Sequence, residues 1–154
     1  MKKKSIALSL LMVCILAACQ PETTASSPIT GTVNTEITLA PGQSAAVTGT
    51  DLTVTFHAVV GDERCPSEIE CAASGPVTVS LSVQQKDGAP TEFTLQTFTD
   101  ENGRSPNVQF EGITNRAEVG GYIIQIASVT PYPSNLTTEI DASEYRVSLL
   151  VSNQ

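Results

Sequence analysis

From about residue 35 onward, apolar and polar side chains alternate with a period of two. Leu52, Val54, Phe56, Ala58 and Val60 interleave with Thr53, Thr55, His57 and Val59. Val77, Val79, Leu81 and Val83 interleave with Thr78, Ser80, Ser82 and Gln84, and Tyr145, Val147, Leu149 and Val151 with Glu144, Arg146, Ser148 and Leu150. Successive side chains of a strand point to opposite faces, so each run predicts a strand with one face buried and the other wet. Residues 121–129 are apolar on both parities, as in a central strand covered on both faces. Weaker alternation predicts strands at 36–40, 44–49, 92–98 and 107–113. No long stretch has helical period.

Turn signals separate these runs: Pro41-Gly42, Asp87-Gly88, Asn102-Gly103 and Gly120-Gly121. Asn102-Gly103 is the strongest tight-turn candidate, and Pro106 just after it points to an edge strand, because proline cannot donate to a ladder. Seven to nine short strands at this spacing predict an all-β fold, an antiparallel β-sandwich of immunoglobulin-like or similar type, over residues 35–154. The chain has no Trp and only seven Phe and Tyr, so Val, Ile and Leu must fill the core.

The first 34 residues follow another pattern. Lys2, Lys3 and Lys4 precede an apolar run from Ile6 to Ala18, interrupted only by Ser9 and Cys14. The run is shorter than the roughly 20 residues of a membrane-spanning helix but fits a secretory signal peptide, residues 1–18. It ends in Leu16-Ala17-Ala18-Cys19, which resembles the bacterial lipobox. That resemblance implies cleavage before Cys19, lipidation of its thiol and a palmitate- and diacylglycerol-type membrane anchor. Two or more acyl chains hold a protein to a bilayer stably where one does not. The expected location is therefore the bacterial cell envelope, outside the cytoplasm. Residues 20–34, rich in Pro, Ser and Thr, read as a disordered tether after the lipidated Cys19.

Removing residues 1–18 leaves five basic against sixteen acidic side chains, a net of −11. The five, Arg64, Lys86, Arg104, Arg116 and Arg146, are scattered along the chain, which excludes nucleic-acid binding through a basic patch. The acidity itself reads as a solubility device, and the domain as monomeric.

Cys65 and Cys71 remain to pair with each other once Cys14 and Cys19 are assigned. A disulfide suits an exported protein, whereas a structural zinc site would want further N or S ligands, and the chain has one histidine, His57. Asp62 and Arg64 lie two residues apart at the end of a strand, where an arginine fork can satisfy a carboxylate or several loop carbonyls. With the disulfide and Pro66, they would fix the crossover between strands 52–60 and 76–84.

Asp62-Glu63-Arg64-Cys65-Pro66 and Cys71-Ala72-Ala73-Ser74-Gly75 together resemble a family of small exported bacterial β domains that typically read Asp-Ser-Arg-Cys-Pro and Cys-x-Trp-x-Gly. Val129-Thr130-Pro131-Tyr132-Pro133 and the closing Tyr145-Arg146-Val147 strand are similar to that family as well, so the likeness spans roughly residues 50–152. Glu63 replaces its usual serine and Ala73 its usual tryptophan. The resemblance implies no activity. It marks Asp62, Arg64, Pro66 and Gly75 as structural loop residues beside the disulfide.

Other chemistry is thin. His57 falls on the Thr53/Thr55 face with no Cys, Asp or Glu at 55 or 59, the setting of an exposed spectator rather than a base or ligand. Asp100-Glu101-Asn102-Gly103 echoes a calcium loop but lacks the later acidic residue. Asn135-Leu136-Thr137 matches a glycosylation sequon that a bacterial lipoprotein would not use. No catalytic residue, metal or cofactor is assigned. The expected role is a non-enzymatic binding or structural module with an envelope protein or saccharide partner. The alternative is an inhibitor or regulator of an extracytoplasmic enzyme, such as a protease, acting through the 65–71 loop.

Overall fold

A computed structural model describes residues 27–154. The signal peptide, Cys14, Cys19 and the first part of the tether lie outside the described residues. The described chain forms nine strands and no helix: β1 (Ile29–Thr32), β2 (Glu36–Leu39), β3 (Ser44–Thr48), β4 (Leu52–Asp62), β5 (Val77–Gln85), β6 (Thr91–Thr97), β7 (Arg116–Val119), β8 (Tyr122–Thr130) and β9 (Arg146–Asn153). They make two sheets, β1-β3-β4-β5-β6 (sheet A) and β2-β9-β8-β7 (sheet B). Every pairing is antiparallel except β1 with β3. The all-β sandwich expected from the alternation is the observed fold.

The core is aliphatic, as the missing tryptophan requires. Val77, Val79, Leu81 and Val83 of β5 face Leu39, Ile124, Ile126, Leu149 and Val151 of sheet B within one buried cluster, and Phe56 is its one fully buried aromatic. Burying each such side chain contributes about 1.5–3 kcal/mol before ordering costs are counted.

Strand β4 departs from its expected parity in an instructive way. Its pairing with β5 slips between Phe56 and Ala58 and again between Val59 and Gly61, so that His57 and Val60 are extra residues at two bulges. A bulge sets two residues of one strand against one of its partner. The residues opposite the inward side chains of β5 are therefore Val54, Phe56, Val59 and Asp62. Val60, expected inside, is 59% exposed, and Val59, expected outside, packs on the core. Two slips restore the original parity, so Asp62 arrives opposite buried Val77 at the end of the inward face.

Two other expectations change. The tether was expected to reach residue 34, but β1 pairs with β3 from Ile29↔Ala45 to Thr32↔Thr48, so the fold begins six residues earlier than the expected start at 35. The strand expected at 107–113 is irregular chain, and the sheet edge is supplied instead by β7. The turn at Asn102-Gly103 is present: Gly103 N–H donates to Asp100 O at 2.9 Å, with Gly103 at φ 76°. Arg104 and Ser105 then join the exposed flank of β8, through a bridge to Ser128 and a bond from Ser105 N–H to Ala127 O of 2.9 Å. The chain at Pro106 itself is irregular, so the edge strand expected there is reduced to these two contacts.

Candidate functional site

The end of the sandwich where β4, β8 and β9 meet gathers the loop residues. Arg64 lies two residues past the end of β4, and its side chain is fully enclosed, facing an Asp62 carboxylate that is 13% exposed. Its Nε and Nη2 donate to Oδ1 and Oδ2 of Asp62 at 2.8 and 2.6 Å, a fork-to-fork pair. Nη1 donates to Val129 O and Nη2 to Pro131 O, both at 2.9 Å, which ties sheet A to the last turn of β8 in sheet B. The sequence allowed a carboxylate or loop carbonyls as partners; the guanidinium takes both. The Tyr132 ring covers the cation at 5.0 Å, an arrangement that stabilises a desolvated arginine.

Tyr145, just before β9, donates its hydroxyl to Asp62 Oδ2 at 3.0 Å. Burial first, then the adjacent negative charge, pushes the phenol up to about 12. The Asp62 carboxylate thus accepts from the Arg64 side chain, the Arg64 backbone N–H at 3.2 Å and Tyr145. A buried charge is tolerated only when so paired and bonded.

The disulfide loop stands beside this knot. Cys65 and Cys71 are bonded, with Cα atoms 6.0 Å apart, inside the usual span for a bridge. Ser67 N–H donates to Pro133 O at 3.0 Å and Glu68 N–H to Ser134 O at 2.9 Å, fastening the loop to the β8–β9 connection. Pro66 opens the turn, its carbonyl accepting from Ile69 N–H at 3.2 Å. Gly75 closes the loop: its N–H reaches Glu63 O at 2.9 Å, and a Cβ there would lie 2.7 Å from that same oxygen. Glycine is required by this close approach. Ala73, at the position where the similar family carries tryptophan, is exposed.

Between the loop and the 133–140 segment lies a cleft of about 460 Å³. Asp62, Arg64 and Tyr145 form its polar part, Pro66, Pro133, Leu136 and Ile140 its apolar walls, and Glu63 and Glu139 its free carboxylates. Leu136 is 78% exposed, a large apolar side chain presented to solvent at the cleft. Asn135 fixes that presentation, its Oδ1 accepting from Thr137 N–H at 3.0 Å and Thr138 N–H at 2.8 Å. The structure therefore brings Asp62, Arg64, Pro66 and the disulfide together, adding Tyr145, Tyr132 and two backbone carbonyls that sequence reasoning did not place in the site. The similarity noted at Val129–Pro133 and Tyr145 was the one signal that touched them.

His57 lies elsewhere, exposed on the outer face of sheet A. It is less solitary than the sequence indicated: Nε2 is 2.9 Å from Ser82 Oγ and 3.3 Å from a Glu92 carboxylate oxygen. Glu92 comes from β6, which no inspection of β4 alone could have supplied. Among the described residues no group of three or more His, Cys, Asp or Glu side chains stands together to hold a metal.

No protein-family model, curated protein or solved structure matches the chain, so the site is argued from its own geometry.

Proposed function

We propose that this chain is a lipid-anchored lipoprotein of the bacterial envelope, held to a membrane through Cys19, whose β domain is a non-enzymatic binding module. The cleft between the disulfide loop and the 133–140 segment is its binding surface. The observation that carries the reading is the pairing of a rigid floor with half-buried apolar walls and one exposed apolar side chain, Leu136. Arg64 and Asp62 spend their hydrogen-bonding capacity inside the fold, while Leu136 stands out into solvent beside them. Both oxygens of the Asp62 carboxylate are already taken by Arg64 and Tyr145, which favours a recognition role over catalysis at that group. The inward-directed amides of Ser67 and Glu68 suit a wall of the cleft better than an inhibitory loop offering its backbone to an enzyme.

The test is cross-linking in intact envelopes, with a photoreactive residue in place of Glu139 on the full chain. A discrete adduct that disappears in a Leu136→Asp background supports the reading; no adduct, or one indifferent to Leu136, removes it. Metabolic labelling with a fatty-acid analogue tests the anchor separately. Cys19→Ser should abolish incorporation, and unchanged labelling would overturn the lipoprotein assignment.

A further inference from the structure

The outer face of sheet B carries a second constellation, away from the strand-end cleft. Glu36, Leu150, Gln125 and Arg116 pair in register across β2, β9, β8 and β7, forming one transverse row. Above the row run residues 104–109, and beneath them open two adjoining hollows of about 160 and 80 Å³ that share Asn107 and Gln125 in their walls. Gln109 and Asn115 complete the smaller one, with Val108 as its apolar side.

Two observations make this more than a surface dimple. Asn115 is 3% exposed, and its Oδ1 is buried without a hydrogen-bond partner while its side chain lines the smaller hollow. Buried acceptors are nearly always satisfied and an exception needs an explanation, which a donor entering the hollow beside Asn115 would supply. The second concerns charge. Of the five basic side chains among the described residues, Lys86, Arg64 and Arg104 hold carboxylates and Arg146 bonds the carbonyls of Ser143 and Tyr145. Arg116, in the wall of the same hollow, has neither. In a chain so rich in acid, an arginine left without a carboxylate beside an unsatisfied amide marks a place for an external anion with hydroxyl donors.

We propose that this groove is a saccharide subsite that takes a carboxylate-bearing sugar of the uronate type. Its carboxylate would pair with Arg116, and its ring hydroxyls would bond the carboxamides of Asn107, Gln109, Asn115 and Gln125. Each carboxamide offers both donors and an acceptor, which matches vicinal hydroxyls, and Val108, 54% exposed, gives the ring an apolar contact. A peptide fits less well. Strand β8 is paired on one side by β9, and on the other by Ser105 and β7, with Ile126 N–H bonded to Asn115 O at 3.1 Å. Beneath residues 104–109 β8 therefore offers no open backbone edge to an added strand, and the edge of sheet B is the far side of β7.

The test is calorimetric titration of the full chain with tetragalacturonate, using maltotetraose as the neutral sugar and tetraglutamate as the anionic peptide. Binding of tetragalacturonate is expected, with Arg116→Gln weakening it by about tenfold or more at an unchanged melting temperature. Gln125→Ala should weaken it as well. If Arg116→Gln proves unfolded, Arg116→Lys keeps the charge, loses the planar fork, and should show a reduced but measurable affinity. Absence of heat with tetragalacturonate overturns the proposal. So does equal binding of maltotetraose, equal binding of tetraglutamate, or indifference to Arg116.

Discussion

The protein contains two fork-to-fork arginine–carboxylate pairs with nearly the same bond lengths and opposite surroundings. Arg64 and Asp62 meet at 2.6 and 2.8 Å with the arginine fully enclosed. Arg104 and Glu36 meet at 2.8 and 3.0 Å with side chains 56% and 38% exposed. The first closes between residues two positions apart and the second joins segments 68 residues apart, and water treats them differently. At Arg104 water already screens the charges and would rehydrate either partner alone. At Arg64 the guanidinium is enclosed and the Asp62 carboxylate only 13% exposed, so a group left without its partner would be rehydrated far less. The geometry of a pair therefore says little about its worth until its burial is known.

Substituting each arginine makes that contrast measurable. Arg64→Ala should cost about 3–5 kcal/mol, the range for breaking a buried pair, because it strands the Asp62 carboxylate and frees the carbonyls of Val129 and Pro131. Denaturant melts would show it, and a loss below about 1 kcal/mol would mean that water reaches the knot. Replacing Cys65 and Cys71 together by serine should cost about 2 kcal/mol by the chain-entropy model for so short a loop. Partner cross-linking should survive wherever that variant remains folded, because Ser67 and Glu68 still fasten the loop.

Tyr145 supplies a titration of the same comparison. Its phenol, raised from 10.0 to about 12, favours the folded state fully below pH 10, and that contribution is lost as pH climbs from 10 toward 12. Thermal melts across this window should fall for the native chain and fall less for Tyr145→Phe, which itself should cost about 1 kcal/mol at neutral pH by removing one hydrogen bond. An identical alkaline decline in both would show that burial and the Asp62 charge do not raise the phenol. The smallest effect belongs to Arg104→Ala, which should leave the denaturation midpoint nearly unchanged, with the difference shrinking further in high salt.

Strands with one face on the core were readable because burial imposes alternation, as at Val77, Val79, Leu81 and Val83. Strand β1 was not, because only Gly31 of its four residues is buried, and a threonine-flanked glycine looks the same in a tether. Strand β7 hid for the same reason, with Ala117 its one buried residue, while the alternating Val108 and Phe110 that suggested a strand are exposed. At the site, Asp62 and Arg64 were legible because they stand only two positions apart. The carbonyls of Val129 and Pro131 lie 65 and 67 residues away from Arg64, and a backbone oxygen carries no residue signature. The two bulges in β4 were equally silent, since His57 and Val60 do not differ in kind from their neighbours.

The parallel pairing of β1 with β3 bears on how the domain answers to mechanical force. Any tension transmitted through the N-terminal segment enters the fold at Ile29, and a pull directed back along β1 loads its four register pairs side by side. Such a shear geometry resists until the whole short ladder gives way, unlike a zipper that opens one rung at a time. What then detaches is an edge strand. The segments that build the cleft hang from β4, β8 and β9, none of which pairs with β1. Loss of β1 would thus leave every strand pairing that supports the cleft in place.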